Sequence, residues 1–255
     1  ATETVRLAGA VAGVEMQRFE DTKWSCGMSC GGSSDPAFDL TTAEQTSFFV
    51  LFYDVMESRP DLLSRANATS IHTTLVYQIE LFTSSFWGKK WQLWNGNNWT
   101  PHLCVAALEW AIVFWHEEKT IAEEVLSIVN DIMWLHRPYF TEDGVYSEGV
   151  AMYTYMSLEA QFAMDALHRA SFGSPVAAID AGTLNKVARW MAASMSSDAY
   201  LIDFGDSHRK RGWDMIVVEA ATFGRNASSV LPIDRDVYRH ISSTMYGSGG
   251  FYTNP

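Results

Sequence analysis

Apolar residues recur every three or four positions along most of the chain, which is the spacing of one face of an α-helix. The clearest stripe consists of Leu75, Ile79, Phe82 and Phe86. A second stripe consists of Ile121, Val125, Ile128, Ile132 and Leu135. No stretch alternates apolar and polar residues as a half-buried strand would. The pattern therefore predicts an all-α protein.

Capping residues indicate where one of the earlier helices begins. Thr42 and Gln45 have the spacing of a capping box. Phe48, Phe52 and Val55 follow them on one face of the predicted helix. We therefore expect this helix to start at Thr42.

Three further helices are predicted downstream. A nearly all-apolar stretch follows Pro101 and continues to Trp115, and its apolar surface on all sides predicts the most buried helix. Thr120 and Glu123 are predicted to cap the next helix, and a later one is predicted over residues 148–170. Weaker helical patterns occupy residues 7–14, 184–195, 213–223 and 234–243.

Composition and connection lengths bear on the domain organisation. Apolar residues make up 47% of the chain and aromatic residues 13%, which is enough for a packed core. Short connections between successive helices predict antiparallel hairpins. We predict one domain that spans residues 1–255, with a linker or loop at residues 245–255.

Charge restricts the classes of partner. The formal net charge of −12 argues against a nucleic-acid-binding protein, which would carry a basic stripe. Basic residues cluster at Lys89-Lys90 and at His208-Arg209-Lys210-Arg211. Such a cluster can still attract an acidic ligand, because steering depends on the field at the binding surface. No apolar run reaches membrane-spanning length, so no membrane insertion is expected.

Cysteine and acidic residues bear on disulfides and metals. Cys26 and Cys30 either form a local disulfide that leaves Cys104 free, or all three are free thiols. No second Cys or His pair completes a zinc site. Asp203 and Asp206 make a poor ligand set on their own, so no metal is expected.

Three N-glycosylation sequons begin at Asn67, Asn98 and Asn226. They favour a secreted protein, with an extracellular or periplasmic location. A tryptophan in the middle of its sequon makes Asn98 a poor acceptor, so we expect that residue to carry no glycan.

Two polar turns hold the residues on which the functional prediction depends. The first is residues 95–102, Asn-Gly-Asn-Asn-Trp-Thr-Pro-His, and the second is residues 143–149, Asp-Gly-Val-Tyr-Ser-Glu-Gly. These residue types suit β-elimination next to a sugar carboxylate. An Asn amide that hydrogen-bonds the carboxylate favours loss of the C5 proton, a Tyr or His removes that proton, and a Tyr returns one to the leaving oxygen.

The order and spacing of the two turns resemble the heparinase II/III-like and alginate-lyase-like polysaccharide lyases. The matching residues are Gly96-Asn97-Asn98-Trp99-x-Pro101 and Asp143-Gly144-x-x-x-Glu148-Gly149-x-x-x-Tyr153-x-Tyr155. Phe204-Gly205-Asp206-Ser207 is similar to a later Gly-Asp segment of those proteins. The resemblance covers about residues 90–210. It implies an incomplete (α/α) toroid, an acidic polysaccharide or oligosaccharide as substrate, and no cofactor.

The resemblance also implies roles for individual residues. Asn98 would neutralise the uronate carboxylate, and Tyr153 would act as acid or base, with Tyr155 as the alternative. These two tyrosines cannot face the same way on a helix, so at least one is expected to pack. His102 would replace a catalytic His that some of these lyases carry directly after the Asn. The predicted substrate-binding residues are Asn97, Trp99, Trp94, Glu148, His208 and Arg209.

The lyases that the chain resembles usually carry a β-sandwich domain after the toroid, and no such domain is predicted here. We therefore expect a toroid domain that is incomplete at one or both ends. A C-terminal β-sandwich segment or another chain would then complete the site.

Two other functions compete with this interpretation. A glycoside hydrolase would use Glu148 with Asp143 or Asp206 as its pair of carboxylates. A non-catalytic glycan-binding or structural subunit would use Asn97 and Asn98 as helix caps, with Glu148 as support for a neighbouring side chain.

Overall fold

The computed structural model describes residues 37–57, 63–136, 140–146, 148 and 152–174, and also residues 186, 187, 190, 193 and 194. Within these ranges the protein is mostly helical and contains no strand. Among the described residues, one isolated antiparallel bridge pairs Phe140 with Tyr146. The all-α prediction is confirmed for this part of the chain.

The helices of the described residues follow one another in the order expected from the apolar stripes, with one short addition. They are α1 (Leu40–Met56), α2 (Arg65–Trp87), α3 (Trp91–Trp94), α4 (Trp99–Val113), α5 (Lys119–His136) and α6 (Met152–Phe172). The four-residue α3 has no counterpart in the sequence prediction.

The chain divides into two compact units, which are called here the first and the second unit. The described part of the first unit consists of residues 37–57, 63–95, 99–132 and 167–174. That of the second consists of residues 96–98, 133–136, 140–146, 148, 152–166 and the described residues between 186 and 194. The assignment of residues 1–255 to one domain stays a prediction.

The core of the first unit forms around α4, which contacts α1 most extensively and also contacts α2 and α3. Leu103, Leu108 and Trp110 of α4 are completely buried. Cys104 is a free, buried thiol, and burial raises its pKa. The sequence prediction that this helix is buried on nearly all sides is confirmed.

The predicted stripe on α2 is confirmed residue by residue, because Leu75, Ile79, Phe82 and Phe86 are all buried. A polar contact accompanies this apolar packing: the Thr46 hydroxyl of α1 lies 2.7 Å from Gln78 Oε1 of α2 and 2.7 Å from the Thr42 carbonyl oxygen, and its one proton goes to one of them. Both residues are buried, so the hydrogen bond satisfies groups that water cannot reach.

The prediction for α1 is wrong in two respects. Its N-cap is Asp39, whose side chain accepts from the Thr42 backbone N–H at 2.9 Å, so Thr42 lies inside the first turn. The predicted stripe is exposed at Phe48 and Val55 and half-buried at Phe52, whereas the adjacent Phe49 is buried. Apolar residues lie on more than one side of this helix, and α1 contacts both α4 and α2.

The later helices match the prediction except at their ends. The α5 helix begins at Lys119, so Thr120 lies within it and does not cap it. The α6 helix begins at Met152, so Glu148 precedes it. Of the helix predicted over residues 184–195, the described residues Lys186, Val187, Trp190 and Ala193 are helical. The helices predicted over residues 7–14, 213–223 and 234–243 lie outside the described residues.

Candidate functional site

The first polar turn connects α3 to α4. Gly96 adopts a positive φ of 61°, a conformation that costs a glycine little and other residues more. Asn98 directly precedes α4 and is only 4% exposed. The turn therefore buries a side-chain amide, which is a polar group that needs hydrogen bonds from the protein or from a bound ligand.

The second polar turn is a tight reversal between Phe140 and Tyr146. The Thr141 N–H donates to the Val145 carbonyl at 3.0 Å, and the Gly144 N–H donates to the Thr141 carbonyl at 2.9 Å. The rings of Phe140 and Tyr146 pack with their centroids 5.0 Å apart. These contacts fix the direction in which the chain leaves the turn towards Glu148.

Gly144 is required in this turn for two reasons. Its φ is +81°, in the region that L side chains rarely adopt. A Cβ atom at this position would also overlap the backbone of Lys186 and Val187. Asp143-Gly144 is therefore more than a turn signal, since the absence of a side chain allows two backbone segments to approach closely.

The two polar turns meet within the second unit. The backbone N–H of Asn98 donates to Glu148 Oε2 at 2.6 Å. The Tyr146 hydroxyl lies 3.2 Å from the same oxygen and 3.4 Å from the Gly96 carbonyl oxygen. We call these four residues the motif junction. It links segments that are 50 residues apart in the sequence.

The side chain of Glu148 holds the first polar turn by accepting a hydrogen bond from the main chain of Asn98. A charged acceptor makes shorter and stronger hydrogen bonds than a neutral one, which agrees with the 2.6 Å distance to the Asn98 N–H. The Tyr146 hydroxyl has one proton, so it donates to Glu148 or to Gly96 but not to both at once. The shorter distance favours Glu148. These contacts give Glu148 a positioning role towards Asn98, and its predicted contact with substrate stays a prediction.

Tyr146 is the residue of the junction that the sequence analysis did not single out. It is completely buried, although its hydroxyl needs a partner. The signal for it was present: an aromatic residue lies two positions before Glu148, inside the motif that carries the family resemblance.

The remaining predicted catalytic residues lie in helices. Tyr153 and Tyr155 belong to the first turn of α6 in the second unit. His102 belongs to α4 in the first unit. His208 and Arg209, which were predicted to bind substrate, lie outside the described residues, as do Cys26 and Cys30.

His102 has the electrostatic character of a neutral base. Its Nε2 atom is buried and has no hydrogen-bond partner in the part of the chain that the structure describes. Burial lowers the pKa of His102 below its usual value of 6.5, because a charged imidazolium loses hydration there. The ring is therefore uncharged at neutral pH, with one nitrogen able to accept a proton.

Glu109 lies seven residues further along α4, and its pKa is shifted in the opposite direction from that of His102. Burial raises the pKa of its carboxyl group, and a hydrogen bond with Ser47 opposes part of that rise. Its Oε2 atom is buried without a hydrogen-bond partner among the described residues. A spacing of seven residues places Glu109 and His102 on the same side of the helix.

Trp94 and Trp99, predicted to bind substrate, lie in the first unit and contact other aromatic residues. The Trp94 ring stacks on Phe86 with centroids 5.2 Å apart, and its indole N–H donates to the Phe86 carbonyl at 2.7 Å. The Trp99 ring lies 5.0 Å from that of Trp91. Their contact with substrate, like that of Asn97, stays a prediction.

Three further predictions concern metal, membrane and glycan. Among the described residues no group of three His, Cys, Asp or Glu side chains is arranged to hold a metal ion. None of the helices described is long and apolar enough to cross a membrane. Asn67 is exposed in the first turn of α2, Asn98 is buried, and Asn226 lies outside the described residues. Burial of Asn98 agrees with the expectation that it carries no glycan.

Comparison with known proteins does not assign the chain to a family. Its sequence matches no protein-family model, and it matches no curated protein.

Proposed function

We propose that the protein is a polysaccharide lyase that cleaves a uronic-acid-containing glycan by β-elimination, on an incomplete (α/α) toroid. The observation that supports the proposal is the motif junction. Two turns that the lyase resemblance pairs by sequence order are joined by the hydrogen bond that the Asn98 N–H donates to Glu148, and the Tyr146 hydroxyl lies close to both Glu148 and the Gly96 carbonyl oxygen. A chance match of two unrelated turns would have no reason to bring them together.

Asn98 is the residue that would act on the sugar carboxylate. Its main-chain N–H is already donated to Glu148, so the group proposed to bind the carboxylate is its side-chain amide. A hydrogen bond to the carboxylate stabilises the negative charge that develops as the C5 proton leaves. Because Glu148 and the buried environment hold Asn98 in place, this amide would be positioned before substrate binds.

The proton transfers require a base and an acid. In the proposed reaction the base takes the C5 proton, the electron pair forms the C4=C5 double bond, and the C4–O bond breaks. A phenol of Tyr153 or Tyr155 then gives a proton to the leaving glycosidic oxygen. The base is the same tyrosine or the neutral imidazole of His102, whose lowered pKa leaves it unprotonated at neutral pH.

The test follows the absorbance of the unsaturated uronate product. The wild-type protein would be incubated with polymannuronate, polyguluronate, heparan sulfate and chondroitin sulfate. Asn98→Asp keeps the shape of the side chain but places a negative charge opposite the substrate carboxylate, so we expect it to abolish product formation. Asn67→Asp makes the same change at an exposed residue of α2 and controls for general effects of the added charge.

The results separate the proposal from its competitors. Circular dichroism must show that both variants are folded. Saturated reducing ends in place of unsaturated product would indicate a glycoside hydrolase that uses Glu148. Absence of any cleavage by the wild-type protein on all four polymers would leave the non-catalytic glycan-binding interpretation, in which burial of Asn98 serves structure alone.

A further inference from the structure

Large aromatic residues are exposed next to a basic pair in the first unit. Trp87, the last residue of α2, is 64% exposed, and Trp91, the first residue of α3, is 46% exposed. Lys89 and Lys90 lie between them in the sequence. We call these four residues the tryptophan surface. Exposed aromatic side chains that occur together, in contrast to isolated ones, are a feature of binding surfaces.

Packing beneath the tryptophan surface makes it rigid. The ring of Trp91 lies against that of Trp99 at an angle of 46°. Phe86 contacts the Trp87 ring edge-on at 5.0 Å and stacks with Trp94 on its other side. The exposed rings therefore rest on a second layer of aromatic residues, and a ligand that stacks on them pays little to order them.

The polar edge of Trp87 is also fixed. Its indole N–H donates to Glu124 Oε1 of α5 at 2.7 Å, which holds the ring while most of its area remains exposed. The same contact occupies one oxygen of the Glu124 carboxylate. A fixed and exposed indole face is the arrangement on which the apolar face of a sugar ring can stack.

Lys89 supplies the positive charge. It adopts a φ of +55°, which is rare for a residue with a side chain, and it is exposed. Its Nζ atom lies 5.8 Å from the centre of the Trp94 ring, within the range of a cation–π interaction. The ammonium group is thus held beside the aromatic rings. This places a positive charge on the surface of a chain whose net charge is −12.

We propose that the tryptophan surface binds an acidic oligosaccharide, with sugar rings stacked on Trp87 and Trp91 and a carboxylate or sulfate paired with Lys89. The aromatic faces select a ring with an apolar side, and the lysine selects a negatively charged ring. This binding does not depend on the cleavage proposed above, because none of these residues takes part in the proton transfers. A neutral glycan lacks the group that pairs with Lys89.

The experiment measures binding by titration calorimetry with three probes. These are an alginate hexasaccharide, a neutral dextran hexasaccharide, and vesicles of phosphatidylcholine and phosphatidylserine. We expect the alginate oligosaccharide to bind, and added salt to weaken its binding because ionic screening reduces attraction to Lys89. Trp87→Ala and Trp91→Ala should each weaken binding by about tenfold, which corresponds to the loss of one good aromatic contact.

Matched variants control for the loss of an exposed side chain. Trp134 of α5 is also 64% exposed, so Trp134→Ala removes the same side chain from another place and should leave binding unchanged. Lys89→Gln should weaken binding and reduce its salt dependence, whereas Lys119→Gln, at an exposed lysine of α5, should do neither.

Several results would overturn the proposal. Equal binding of dextran and alginate would show that the charge of the ligand does not contribute to binding. Binding to the vesicles alone would identify a membrane surface as the ligand. Equal weakening by Trp87→Ala and Trp134→Ala would show that the effect is not local. Cleavage is measured by absorbance and binding by calorimetry. The binding result can therefore be interpreted even if the protein proves not to be a lyase.

Discussion

The motif junction and the tryptophan surface are opposite arrangements of polar and apolar groups. At the junction, a half-buried carboxylate, a buried phenol and a backbone amide hydrogen-bond to one another. At the tryptophan surface, indole rings remain in water while their edges and lower faces are held by the protein. Substitutions at the junction should therefore act through folding, whereas substitutions at the surface should act through a ligand and leave the fold intact.

The largest effect is expected at the turn that leads into the junction. Gly144→Ala combines an unfavourable φ with overlap against the backbone of Lys186 and Val187. We expect the free energy of unfolding to fall by about 2–5 kcal/mol. Gly173→Ala is the matched control, because Gly173 has a φ of +72° but nothing within 4 Å of the added Cβ. It should cost about 1 kcal/mol.

Urea denaturation of both glycine variants gives the comparison. The difference between them isolates the close approach of two backbone segments from the cost of a positive φ alone. Equal losses for Gly144→Ala and Gly173→Ala would show that Lys186 and Val187 move aside, and the turn would then not depend on the absence of a side chain.

The second effect compares the two regions directly. Glu148→Ala removes the acceptor of the Asn98 N–H and of the Tyr146 hydroxyl, and should lower the free energy of unfolding by about 2–3 kcal/mol. Tyr146→Phe removes only the hydroxyl and should cost about 1 kcal/mol. Trp87→Ala removes a larger side chain from an exposed position, yet should change stability by no more than about 0.5 kcal/mol.

Thermal and urea unfolding of these three variants test that order. If Trp87→Ala destabilises the protein as much as Glu148→Ala does, the indole belongs to the core and the contrast between the regions is lost.

The smallest expected effect is on the pH dependence of stability. It concerns His102 and Glu109, each of which has a buried side-chain atom without a hydrogen-bond partner among the described residues. The pKa of His102 is lower in the folded protein than its usual 6.5, so the unfolded chain binds a proton first as the pH falls. Stability should be complete above pH 6.5 and should decrease as the pH drops through that value towards the folded-state pKa. Each unit of difference between the two pKa values contributes about 1.4 kcal/mol.

His102→Gln removes this titration, so its stability should depend less on pH below 6.5 than that of the wild type. Glu109 changes the stability with pH in the opposite direction. Its raised pKa makes its contribution complete below 4.5 and lost as the pH rises through the folded-state pKa, so Glu109→Gln should flatten that part of the curve. Parallel curves for His102→Gln and wild type would contradict the assignment of a neutral buried imidazole.

Prediction from the sequence was most accurate for structure that depends on residues close together along the chain. The stripe on α2 was identified correctly because Leu75, Ile79, Phe82 and Phe86 are the apolar residues on a helix whose other side is largely polar. On α1 the same reasoning chose the wrong residues, because Phe48 and Phe49 are both apolar and periodicity cannot rank them. Which of them is buried depends on the contacts of α1 with α4 and α2.

The sequence likewise predicted the residues of the candidate site but not the contacts between them. Residue types and spacing singled out Asn98 and Glu148, but they could not reveal that the carboxylate contacts the main chain of Asn98. They also could not reveal why position 144 must be a glycine, since the atoms that exclude a side chain belong to Lys186 and Val187. Contacts between distant parts of a chain leave no mark in local patterning.

The hydrogen bond between Asn98 and Glu148 also constrains the order of folding. Closing a loop of 50 residues costs more chain entropy than forming a helical turn, so the α2 and α4 helices can form before this bond does. A nascent or truncated chain that stops short of residue 148 would make the helices but leave the Asn98 turn without its anchor. In such a chain, which also lacks α6, the Asn98 turn is the part of the remaining structure that we expect to lose its fixed position.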